Sequence, residues 1–153
     1  GHDGTPSIYL LHGDMCRKDM NNLYRDESIK AFISLTRGEG FGLPHLESAV
    51  AGLPVVATNW SAHKEFLDLG RWISIDYKLE PIHQNRIDNE IFVSGAKWAF
   101  PDEKDFKRKI RKLSKSYNVP RQWASDLSTA LKEKYSWIAV SKQYEKSVGD
   151  LLE

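Results

Sequence analysis

The chain has 153 residues, enough to bury one full core, so a single domain over residues 1–153 is expected. A hydrophobic share of 41%, a charged share of 28% and a net charge of +1 are ordinary for a globular protein and point to neither a nucleic-acid nor a membrane partner. The lone cysteine, Cys16, permits no internal disulfide, which fits a reducing, cytoplasmic setting, and no apolar run approaches the ~18 residues of a membrane span.

In chain order, residues 7–13 (SIYLLHG) read as a buried strand ending in a turn. Residues 17–28 carry Met20, Leu23 and Tyr24 at helical spacing, and residues 31–35 (AFISL) read as a second strand. A short helix is predicted over residues 44–52, with Pro44 at its first position and Gly52 where it stops. Its Leu46, Ala49 and Val50 recur at the spacing that faces a core. Residues 54–58 (PVVAT) and 71–77 (RWISIDY) are further strands. A polar stretch then leads into residues 91–100, read as a short strand pair or an irregular excursion. From Pro101 the pattern is helical. Phe106, Ile110, Leu113 and Tyr117 form one stripe, and Trp123, Leu127 and Leu131 a second; beyond a cap at Ser136, Trp137, Val140, Tyr144 and Val148 form a third. The run from Lys104 to Lys115 is basic, but its apolar face assigns the cations to a solvated outer surface. Alternating strands and helices imply an α/β fold, a parallel sheet flanked by helices, with ligands beyond the carboxyl ends of the strands.

The bend after residues 31–35 lies at such an end. Gly38, Gly40 and Gly42 lack the third glycine of a dinucleotide fingerprint, because Leu43 stands there, and no Gly-Lys-Ser/Thr follows. Glycines nevertheless let backbone approach a ligand closely, and a helix starting near Pro44 aims free N–H groups and a positive dipole end at it. Glu39 and Glu47 flank this anion site. A carboxylate there is repulsive unless it meets hydrogen-bond donors, and the hydroxyls of a sugar or ribose are such donors. A phosphate between two hydroxyl-bearing rings describes a nucleotide-sugar.

The stretch EGFGLPHLESAVAGLPVVAT closely resembles the signature of the retaining glycosyltransferases of the two-lobed GT-B fold, E-G-F-G-L-P-x-L-E-A-x-A-x-G-x-P-V-V-A. Ser48 and Val50 stand where alanine is usual. Residues 20–36, the segment WAFPDEKDF and the closing YSWIAVSKQYEK are also similar to the family. The resemblance implies the nucleotide-sugar-binding C-terminal lobe of such an enzyme, a Rossmann-like unit incomplete at its start. The arginine and lysine that usually neutralise the diphosphate have no counterpart before Ser7. The chain is therefore expected to be a fragment, or a short relative, that turns over no sugar donor without an N-terminal lobe. That lobe could bring it to a membrane surface.

By resemblance, Glu39 meets the donor sugar near the reacting carbon and Glu47 binds the ribose diol. Gly40, Phe41, Gly42, Leu43 and Pro44 line the donor, with backbone N–H groups on the sugar and distal phosphate; Pro44 itself has none to give. The reaction implied is transfer of a sugar from a nucleoside diphosphate to a saccharide or other hydroxyl acceptor, with retention and with neither metal nor cofactor. Lys64 is the best local candidate for a phosphate partner, whereas His45 is expected at the solvated surface and His63 at either a solvated helix start or the cleft. Arg37 could serve the bend or pair with a surface carboxylate. The alternatives are a stand-alone nucleotide or sugar-phosphate binding module, and a GT-B nucleotide-sugar epimerase.

Overall fold

A computed structural model describes residues 6–149. Three strands, β1 (Phe32–Ser34), β2 (Val55–Thr58) and β3 (Ile73–Ile75), form a parallel sheet in the order β1-β2-β3. Phe32 pairs with Val55 and Val56 with Ile73, so the three carboxyl ends lie together. Helix α1 (Arg17–Arg25) precedes the sheet, α2 (Leu43–Val50) joins β1 to β2, and α3 (Lys64–Leu67) joins β2 to β3. This is the Rossmann-like α/β arrangement that the alternation of elements predicts.

Period-two alternation on β2 explains the layering. Val55 and Ala57 face a core with Ala49 of α2, Phe66 and Leu67 of α3, and Leu127 and Leu131 of α5 (Asn118–Lys134). Val56 points the other way, into a core with Ile75 and with Leu113 of α4 (Glu103–Lys115). All four residues of β2 are buried, as a central strand covered on both faces must be. The predicted stripe of Phe106, Ile110, Leu113 and Tyr117 packs on this second core, leaving Lys107, Arg108, Arg111 and Lys112 exposed. A Cβ on Gly70 would come within 3.0 Å of the Leu127 Cβ, so glycine permits α5 to close against the turn before β3.

Residues 71–77 divide between two sheets. Beyond β3, β4 (Tyr77–Pro81) pairs antiparallel with β5 (Lys97–Pro101); residues 91–100 therefore hold no strand pair of their own but one strand, whose partner precedes them at the start of the polar stretch. Asp76 marks the switch: its N–H donates to Asp105 Oδ2 at 2.9 Å and its carbonyl accepts from the Asp102 N–H at 2.6 Å. Burial alone would raise the Asp105 carboxyl, but the Asp76 N–H, Lys109 and Arg108 outweigh it and hold the group below the ordinary carboxylate range.

Two expectations are corrected. Residues 7–13 form no strand; Ile8 is 94% exposed and Leu10 86%. An apolar run becomes a buried strand only where neighbours supply hydrogen bonds and cover, and no described strand pairs with it. The final helix, α6 (Trp137–Val148), is capped by Ser136 as predicted, with the Ala139 N–H donating to its hydroxyl at 3.1 Å. Its apolar stripe is not covered, however: Trp137 is 84% exposed. Among the described residues no helix is long and apolar enough to cross a membrane.

Candidate functional site

Segments leaving β1 and β2 meet at the carboxyl edge of the sheet. Helix α2 begins one residue earlier than predicted, at Leu43, with Gly42 as its N-cap in the left-handed region (φ 87°, ψ 52°). No side chain caps this helix. The first intrahelical bond runs from the Leu46 N–H to the Gly42 carbonyl at 3.1 Å, so the N–H groups ahead of it face outward from the helix start. Only glycine suits position 42: a Cβ there would sit 3.0 Å from the His63 Cβ and 3.1 Å from His45 Nδ1. Gly40, by contrast, has open space around it.

Glu39 is fixed by its backbone. The Ser61 hydroxyl accepts from the Glu39 N–H and donates to the Glu39 carbonyl, both at 2.7 Å. Ser61 holds φ at 88°, an unfavourable value for a non-glycine residue, as residues that clamp a functional loop often do. The Thr58 hydroxyl donates to the Thr36 carbonyl at 2.8 Å, tying the two segments again below the bend. Phe41, 40% exposed, packs on Phe66, and Leu43 and Pro44 lie exposed beside it.

Glu47 lies one turn into α2 and is exposed. It borders a cleft of about 290 Å³ walled by Met15, Arg17, Met20, Asn21 and Tyr24. Burial, and then the neighbouring Glu47 carboxylate, push the Tyr24 hydroxyl above its ordinary value. Larger concavities occur elsewhere. One of about 480 Å³ lies between β3 and α4–α5, beside Trp72 and Trp123, and one of about 330 Å³ lies at the opposite, amino end of the strands. Neither holds either glutamate.

Three sequence expectations change, those for His45, His63 and Arg37. His45 is buried (2% exposed), not solvated. His63 is fully buried and stacks on it, with centroids 4.6 Å apart and planes 5° from parallel. The reason is the extreme closeness of the Gly42 turn, which leaves no gap between α2 and the segment entering α3. Lys64 contacts the Asn59 side chain and Asp68 (3.0 Å) and lies 5.6 Å over the Trp72 ring. Arg37 lies over Trp98 and Phe100 of β5, at 5.1 and 4.4 Å, rather than on a carboxylate. Ser61 and the histidine pair escaped sequence reading because their partners lie about twenty residues away in the chain and follow no motif spacing. Among the described residues no group of three or more His, Cys, Asp or Glu side chains is placed to hold a metal ion.

A glycine turn at a strand end and a helix start free of side-chain caps stand between Glu39 and Glu47 in the chain. Residues 17–143 match the family described as Family 4 Glycosyltransferase in conflict systems. The chain belongs to that family. A sucrose synthase from Melioribacter roseus is 31% identical over 163 aligned residues, covering 93% of this chain and 18% of that protein. This glycosyltransferase chain thus spans less than a fifth of the relative's length.

Proposed function

We propose that the chain is the donor-binding lobe of a retaining GT-B glycosyltransferase, which moves a sugar from a nucleoside-diphosphate-sugar to a hydroxyl acceptor held largely by a second, N-terminal lobe. The observation that carries this is the joint placement of a clamped Glu39, the free start of α2 and Glu47 beside its own cleft. Phosphate oxygens accept from the Phe41, Gly42 and Leu43 N–H groups and sit at the positive end of the α2 dipole. Glu47 accepts from the two ribose hydroxyls, and the base enters the cleft among Met15, Met20 and Tyr24. Glu39 accepts from the donor sugar and stabilises positive charge on its ring as the bond to the diphosphate breaks. Gly40 contributes by being small: nothing occupies the space a side chain would fill there. Lys64, at the start of α3, is kept as the candidate for a further phosphate contact, since its exposed pairing with Asp68 contributes at most about 1 kcal/mol.

Replacement of Glu47 by alanine is the direct test. A carboxylate on the ribose diol acts equally in substrate and product, so its loss weakens binding without slowing the chemical step. With ~1.5–3 kcal/mol for hydrogen bonds to a charged group, nucleotide affinity should fall about 10- to 100-fold. Calorimetry showing equal affinity in wild type and Glu47→Ala would remove the ribose assignment.

A second expectation concerns metal. The charge of the leaving diphosphate is assigned to N–H groups and the helix dipole, and among the described residues no group of three or more His, Cys, Asp or Glu side chains is placed to hold a divalent ion. The whole enzyme should keep full transfer activity in excess EDTA. Activity lost in chelator and restored by magnesium or manganese would contradict this assignment.

A further inference from the structure

Among the described residues, the buried side-chain polar atoms without a hydrogen-bond partner are Thr36 Oγ1, His45 Nδ1, His45 Nε2 and His63 Nδ1. All four lie in the segments that build the bend. A buried polar atom left unpaired costs roughly 1–3 kcal/mol, so a cluster of them at one site calls for a cause. The fourth imidazole nitrogen, His63 Nε2, is taken by the Thr58 carbonyl at 2.8 Å, which fixes that ring. Parallel stacking then holds His45 against it, with Phe32 edge-on to one side (5.2 Å) and Trp72 edge-on to the other (6.1 Å). His45 Nδ1 faces the turn itself, lying 3.1 Å from the place a Gly42 Cβ would occupy.

The nearby cations each have a partner within the protein. Arg37 lies over two aromatic rings, Lys64 is paired with Asp68, and Arg71 lies over Trp123 at 5.9 Å. The charged groups on the segments that carry the stack are Glu39 on the bend, Glu47 on α2, and Lys64 and Glu65 on α3. Of these, Glu39 favours the charged form of His45. Stacked rings cannot converge on one metal ion, and no third ligand is present among the described residues.

We propose that the His45–His63 stack is a cationic component of the anion site, taking up one proton from solvent when a diphosphate seats on the turn at Gly42 and Leu43. The inference rests on the donor-site assignment made above. In the free chain, burial first and the neighbouring His63 second hold His45 down at about 4, so its imidazole stays neutral. A dianionic ligand at the helix start adds opposite charge on the Nδ1 side and favours the imidazolium. His45 is thus raised on binding, and proton uptake accompanies ligand in the window between the free and bound values. By linkage, affinity is highest at the acid end of that window and falls as pH rises through it.

Nuclear magnetic resonance of the chain with labelled histidines tests this in wild type, using inorganic pyrophosphate and UDP as probes. His45 is recognised by contacts to the Phe32 ring and His63 by contacts to Trp72. Saturating probe should raise the His45 titration by about one unit or more, equivalent to about tenfold in affinity across the window. Isolated His45→Gln should lose that pH dependence, and if it fails to fold the wild-type titration still decides. A response to pyrophosphate as well as UDP places the effect in the diphosphate; a response to UDP alone contradicts that. Probe binding at the bend with both imidazoles unmoved overturns the proton uptake and leaves the donor site intact. If neither probe shifts the amides of the bend, the donor site and the proton uptake fall together.

Discussion

Glu39→Ala in the whole transferase is expected to lower turnover by roughly 10²–10³, the range for losing one preorganised electrostatic contact at a developing charge. The donor KM should change little. The carboxylate belongs to a backbone already fixed in both directions by the Ser61 hydroxyl at 2.7 Å, so it does not have to be ordered when the donor arrives. Its contact grows as the sugar ring gains positive charge, which makes the loss one of rate rather than of binding. Steady-state kinetics give the split. A variant whose kcat matches wild type while its KM rises tenfold would make Glu39 a binding residue only.

The second large effect is structural in origin. Gly42→Ala should destabilise the chain by roughly 2–4 kcal/mol and abolish nucleotide binding. About 1–2 kcal/mol comes from forcing a side chain into the left-handed region, and a similar amount from crowding into a packed interior. Here the new methyl meets the His63 Cβ at 3.0 Å and His45 at 3.1 Å, on rings that stacking prevents from moving aside. Gly40→Ala is the internal control: with nothing within 4 Å, its stability should remain close to wild type. Chemical denaturation of the two variants in parallel makes the comparison. Equal stabilities would mean that the turn at residue 42 is not held as tightly as the geometry requires.

How much of this was legible in the sequence depends on the reach of each signal. The helix at Leu43–Val50 and strands β1 and β2 follow from local pattern, since proline, glycine and apolar spacing act within a few residues. The two glutamates stand out through the motif's spacing, and their roles rest on that resemblance. The run at residues 7–13 misled because apolar composition states only what a segment would bury, not whether a neighbour is there to receive it. The stripe on α6 misled in the same way, with Trp137 left in solvent. His45 was misjudged for the opposite reason. A polar residue at a helix start is usually exposed, and here a turn too tight for any side chain but hydrogen brings His63 over it. Ser61 offered no local cue at all, because its role depends on a contact twenty-two residues away.

The account stands on the bend at residues 39–43 being the place where a nucleotide's phosphates bind. Amide chemical-shift mapping of the nitrogen-15-labelled chain, titrated with UDP, GDP and ADP, reads this residue by residue. The largest changes are expected at Phe41, Gly42 and Leu43, with a second group at Glu47 and Tyr24 around the adjoining cleft. Changes gathered instead beside Trp72 and Trp123, in the wider cleft of about 480 Å³, with the bend unmoved, would contradict it.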